Sequence, residues 1–108
     1  MPKQAQAKGA VEELPLSEPV FLILASLAPG PKHGYAIQRD IEQFAGVRLG
    51  PGTLYGAIAS LERDGLITAT PGDERRRPYE ISSAGRLRLN EELAAIAALL
   101  GRARAAAV

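Results

Sequence analysis

The segment from Pro51 to Ile67 holds the residues whose types and spacing point most directly to chemistry. Leu54, Ile58 and Leu61 recur at helical spacing and can be buried together, which leaves Thr53, Tyr55, Gly56, Ser60 and Arg63 open to a partner. Hydroxyls and backbone amides in a first helical turn bind phosphate oxygen, so Gly52, Thr53 and Tyr55 suit an anion, while Ser60 and Arg63 suit phosphates or base edges. Arg75-Arg76-Arg77 is the densest basic run. At the tip of a turn it neutralises phosphates without reading sequence, although a solvated turn diluted by Asp73 and Glu74 is the plainer account. Arg39 and Arg63 either join this surface or pair with nearby acids such as Glu42 and Glu62. The Tyr35 ring can pack beneath the third helix while its hydroxyl reaches phosphate, an amphipathic arrangement that serves a packing and a binding reading alike.

Most other chemistry is excluded by residue type. There is no cysteine, which removes disulfides, thiol catalysis and cysteine-ligated metals, and the single histidine, His33, has no serine or acid partner at a suggestive spacing. His33 reads instead as a polar cap at the start of a helix. Gly50-Pro51-Gly52-Thr53 lacks the lysine and the spacing of a nucleotide-binding loop. No cofactor, no metal and no enzymatic activity is expected. The 13 basic and 12 acidic residues leave a net charge of only +1, so a nucleic-acid role must rest on where the cations sit.

The elements that would position these residues follow from periodicity and punctuation. A first helix starts near Ser17, whose hydroxyl can cap it, with Glu18 and Pro19 in its first turn, and stops at Pro29-Gly30-Pro31. A second runs from about Gly34 to Phe44, with Ile37, Ile41 and Phe44 inward, and ends at Gly46. The third opens at Gly50-Pro51 and ends at Asp64-Gly65. Leu66–Thr70 and Pro78–Ile81 read as strands about a polar turn from Pro71 to Arg77. Ser82 can cap a last helix from Ser83, along which Leu89, Leu93, Ile96, Leu100, Ala103 and Ala107 form a heptad seam, with Gly101 either ending the helix or admitting a close neighbour. This order predicts a mainly α fold with a small β-hairpin: a mobile arm over 1–14, a winged helix-turn-helix over 15–82, and a C-terminal dimerisation helix over 83–108.

Much of the apolar content is alanine, so a lone protomer of 108 residues has few bulky core candidates and gains by burying surface against a second copy. The first helix is apolar almost all round and the last has an uncharged stretch from Leu93 to Leu100, so both are expected at a homodimer interface. Val20, Leu22, Ile23, Leu89, Leu93, Ile96, Ala97 and Leu100 are the candidates, and a small effector cavity between the two helices would be lined by Leu22, Leu93 and Ala97. The amino terminus lacks the apolar run of a signal peptide, and the run from Pro19 to Ala28 is far short of the roughly 20 residues that span a bilayer. A soluble, cytoplasmic protein without membrane partners is expected.

His33-Gly34-Tyr35, Pro51-Gly52-Thr53-Leu54-Tyr55, the run Leu61-Glu62-Arg63-Asp64-Gly65-Leu66-Ile67, and Arg77-Pro78-Tyr79-Glu80-Ile81-Ser82-Ser83-Ala84-Gly85 occur here in order. From Leu16 to about Leu100 the chain resembles the PadR family of bacterial transcriptional regulators, in its short form with one carboxy-terminal dimerisation helix. The resemblance implies a dimeric repressor that places the third helix of each subunit in successive major grooves of a pseudo-palindromic duplex and is released by a small ligand or another signal. Gly56 stands where many members have proline, and no tryptophan of the kind that lines the aromatic drug pocket of some short members is present. From the residues alone, a winged-helix module that binds another protein rather than DNA is the alternative.

Overall fold

The computed structural model describes residues 17–73 and 76–107, so the amino-terminal arm and Arg75 lie outside the described residues. Helix α1 (Glu18–Leu27) has Glu18 in its first turn, favourable to the helix dipole, and Pro19 where a missing N–H costs little. Ser17 precedes it in extended backbone but its hydroxyl makes no cap bond; the expected side-chain cap is absent, and the Phe21 amide bonds the Ser17 carbonyl at 2.9 Å instead. Leu22, Ile23, Leu24 and Leu27 are buried, making α1 the centre of the core. Leu22 and Ile23 are thus covered by their own protomer, which corrects their placement at a dimer interface and that of Leu22 in an effector cavity. Val20 is partly buried against the same core.

Helix α2 (Gly34–Ala45) begins with His33, whose Nδ1 accepts from the Ala36 amide at 3.4 Å, and ends at Gly46 in left-handed backbone, φ 68°. Ile37 and Ile41 are fully buried, but Phe44, expected inward, is half exposed. Gln43 to Gly46 are exposed as well: the last turn of α2 runs past the elements that cover the rest of the helix.

Helix α3 (Pro51–Arg63) buries Leu54, Ile58 and Leu61, as their spacing requires. Gly65 closes it at φ 74°, with the Leu66 amide on the Leu61 carbonyl (2.9 Å) and the Gly65 amide on the Glu62 carbonyl (3.1 Å). This paired C-terminal lock turns the chain sharply into strand β1 (Ile67–Ala69). Strand β2 (Tyr79–Ile81) returns antiparallel, in the register Ile67 to Ile81, Thr68 to Glu80 and Ala69 to Tyr79. Both strands are shorter than the sequence suggests: the Leu66 amide is taken up by the Leu61 carbonyl, and Pro78 accepts from the Thr70 amide at 2.8 Å but has no N–H to return. Lys32, in the link between α1 and α2, adds a third edge: its amide donates to the Tyr79 carbonyl (3.1 Å) and its carbonyl accepts from the Tyr79 amide (2.9 Å).

Helix α4 (Ser83–Ala107) is capped by Ser82, whose hydroxyl oxygen accepts from the Gly85 amide at 3.0 Å and donates to the Gly65 carbonyl at 2.7 Å. Gly101 does not end it. Gly85 and Leu89 are buried against the winged domain, so Leu89 belongs to the protomer core rather than to an intersubunit seam. Every residue from Leu93 to Ala107 is exposed, leaving a projecting rod of roughly 22 Å at the helical rise per residue. No helix among the described residues is long and apolar enough to cross a membrane.

Candidate nucleic-acid interface

Because Leu54, Ile58 and Leu61 fix which side of α3 is buried, the opposite side must face out: Gly52, Thr53, Gly56 and Arg63 are exposed, and Ser60 is partly so. Space around Gly52 and Gly56 is open, so a partner can approach the α3 backbone closely on this side. Arg63 donates to the Ser60 hydroxyl oxygen at 3.2 Å, which holds the guanidinium along the exposed face.

Tyr55 is half exposed, and its ring lies against Gly34 at the start of α2. A Cβ at Gly34 would sit 2.5 Å from the Tyr55 hydroxyl oxygen, so glycine leaves the notch the ring occupies. The tyrosine packed between α2 and α3 is therefore Tyr55, not Tyr35. Tyr35, the residue after Gly34, projects outward and is 63% exposed. Arg39, one helical turn on, lies over the Tyr35 ring at 5.7 Å from its centroid, a cation–π contact worth about 0.5–1 kcal/mol at an exposed position. Glu42 is engaged elsewhere, by Arg48 at 3.4 Å and by the Gln38 amide at 3.1 Å. Arg39 and Arg63 consequently make no ion pair with a described carboxylate, and neither do Arg76 and Arg77.

Arg76 and Arg77 lie between the strands, with Arg76 exposed at the hairpin tip. The Arg76 amide bonds both the Asp73 carboxylate (2.8 Å) and the Asp73 carbonyl (3.2 Å), a local turn that gives the tip a shape. Tyr79 pairs with Ala69 at the loop end of the hairpin ladder: burial and then the charges of Glu62 and Tyr55 push its phenol above the ordinary 10.0, and Arg77 partly opposes them. The described residues contain no group of three or more His, Asp or Glu side chains that could hold a metal ion.

Of the expected site residues, Gly52, Thr53, Tyr55, Ser60 and Arg63 lie on α3, Tyr35 and Arg39 are exposed positions of α2, and Arg76 and Arg77 lie in the hairpin loop. Arg75 lies outside the described residues. Between α1 and α2 is a polar cluster that was not among the expected site residues. Ser26, the one buried polar residue of the described core, donates to the Asp40 carboxylate at 2.7 Å; Lys32 donates to the Ser26 carbonyl at 2.5 Å and lies 3.8 Å from Asp40. Ser26 alone signalled it, as a hydroxyl inside a helix apolar on nearly every side.

Three helices, a hairpin with a third bridged edge, and a long terminal helix define a winged helix-turn-helix domain. The chain belongs to the PadR-like family of transcriptional regulators, whose family model matches residues 23–91. It is 48% identical over 88 residues to an uncharacterized 37.1 kDa protein in transposon TN4556 of Streptomyces fradiae, a match that covers 82% of this chain and 26% of that protein. The chain thus spans about a quarter of that curated relative's length. Among solved structures it is similar to a transcriptional regulator from Clostridium thermocellum, at 27% identity and a TM-score of 0.69 over 79% of this chain and 88% of that one. A PadR family transcription regulator from Clostridium difficile R20291 shares the fold at 23% identity and a TM-score of 0.67, over 80% of this chain and 97% of that one.

Proposed function

We propose that this chain is a homodimeric DNA-binding repressor of the PadR kind, in which α3 of each subunit enters a major groove of a pseudo-palindromic operator and the wing arginines fix register on flanking phosphates. The observation that carries the reading is that Arg63 on the exposed side of α3, Arg39 on α2 and Arg76 and Arg77 in the hairpin are all exposed and make no ion pair with a described carboxylate. Guanidinium groups without a carboxylate partner are available to displace counterions from a duplex, and Thr53, Tyr55 and Ser60 of α3, with Tyr35 of α2, add hydroxyls. The dimer would form along α4, where Leu93, Ile96 and Leu100 are 43–48% exposed and Ala97 lies beside them. An effector released into or out of that interface would meet Leu93 and Ala97, and it is this contact that would relieve repression.

Fluorescence anisotropy of the purified chain on its own upstream DNA, across several salt concentrations and against an unrelated duplex, tests the reading. Tight, sequence-preferring binding that falls steeply with salt is expected, with a slope of about 0.9 for each phosphate neutralised. Weak binding to both duplexes, insensitive to salt, would reject it in favour of a module that binds another protein.

A further inference from the structure

Resting on the DNA-binding reading above, we propose that Lys32 and Asp40 are positioning residues that set the wing's placement on the duplex, so that the phosphate contacts of Arg76 and Arg77 depend on two side chains that touch no DNA.

The wing cannot place itself. Its strands are three residues each, and an isolated ribbon of that kind is marginal in water. One strand is anchored at its root by the lock between Leu61 and Leu66 and by Ser82 on the Gly65 carbonyl. The other edge is held by the two backbone bonds between Lys32 and Tyr79, at 3.1 and 2.9 Å. Tyr79 follows Arg77 by two positions and Arg76 by three, so Lys32 meets the hairpin where it leaves the body of the domain.

Lys32 itself belongs to neither a helix nor a named strand, and it lies between Pro31 and His33 in a connecting link. Its side chain supplies the support that the link lacks. The ammonium caps one of the last carbonyls of α1, that of Ser26, and it faces the Asp40 carboxylate of α2. Asp40 is in turn fixed by the buried Ser26 hydroxyl. One residue therefore ties the end of α1, the middle of α2 and the edge of β2. A side chain serving only to cover apolar surface there would need no ammonium. The pair is partly exposed, at 23% and 32% of its side-chain surface, so its effect lies in geometry more than in stability.

The test is a mutant cycle on the full chain. Lys32→Met and Asp40→Asn are each combined with the double change Arg76→Ala and Arg77→Ala, and duplex affinity is followed against salt. Urea unfolding checks that each variant folds. Removing the wing arginines from the wild type is expected to lower the salt slope by about 0.9 for each phosphate they neutralise. Lys32→Met is expected to lower it by a similar amount on its own, and adding the arginine changes to that background should then alter affinity little. Asp40→Asn, which keeps an acceptor for Ser26, should move the slope the same way by less. A Lys32→Met protein that folds, keeps the wild-type slope and loses as much affinity as the wild type when the arginines are removed overturns the proposal while leaving the DNA-binding reading intact. Absence of salt-dependent binding by the wild type overturns both.

Discussion

Two glycines that look alike in the sequence face different neighbours. A Cβ at Gly85 would collide with the Leu66 carbonyl and come 2.8 Å from the Ile81 side chain, so backbone would have to move. At Gly34 the obstacle is the far end of the Tyr55 ring, which can swing outward. Gly85→Ala is expected to cost about 1–3 kcal/mol in urea unfolding, the usual range for overpacking. Gly34→Ala should cost less yet displace Tyr55, visible as a change in its ring resonances by NMR. Equal losses for the two variants would contradict this account. Tyr79 gives a pH effect. Its phenol is raised above 10.0 by burial first, then by Glu62 and Tyr55, against the opposing Arg77. The folded chain keeps this proton where the unfolded chain has released it. Its contribution to stability is therefore full below pH ~10 and is lost as pH rises through the folded value. Tyr79→Phe should flatten that alkaline decline, as followed by urea midpoints across the alkaline range.

At the scale of elements, junctions matter more than helix interiors. Ser82 joins the wing to α4 with two bonds: it accepts from Gly85 and donates to Gly65, so its hydroxyl both caps one helix and secures the residue that closes another. Ser82→Ala should destabilise the chain by about 0.5–2 kcal/mol, the range for a lost N-cap, and toward the upper end because the Gly65 carbonyl also loses its partner. Denaturant unfolding measures this, and a neutral substitution would mean that water replaces both bonds at no cost. The lengths of the helices were legible because proline and glycine punctuate them: Pro51 opens α3, and Gly46 and Gly65 close α2 and α3 in left-handed backbone. Phe44 departs from expectation because periodicity assigns a face but not how far the neighbouring elements extend along it. The polar cluster of Ser26, Lys32 and Asp40 was illegible for a related reason, since Asp40 and Lys32 stand 14 and 6 positions from Ser26 and meet it only when α1 and α2 pack.

On the scale of the molecule, the division of α4 into a docked start and a free end decides what the protomer can do alone. Leu89 is buried and Leu93 is 46% exposed, although they are adjacent positions of the same seam. Leu89→Ala is expected to lower stability by about 2–5 kcal/mol at any protein concentration, as for truncation within a core. Leu93→Glu together with Ile96→Glu should leave the protomer folded by circular dichroism but shift it to monomer in sedimentation equilibrium, and weaken operator binding with it. A dimer that survives this charge would place the interface elsewhere. The sequence by itself determined the element order, the buried faces of α2 and α3 as far as Ile37, Ile41, Leu54, Ile58 and Leu61, and the outward set around Thr53 and Arg63, because helical period and turn chemistry are local properties of the chain. Only the tertiary structure decided that Leu22, Ile23 and Leu89 are consumed inside the protomer, that Tyr55 rather than Tyr35 fills the notch at Gly34, and that Lys32 ties the wing to both α1 and α2. Each of these depends on which surfaces meet across distant positions, and an apolar or charged residue carries no mark of its partner until packing supplies one.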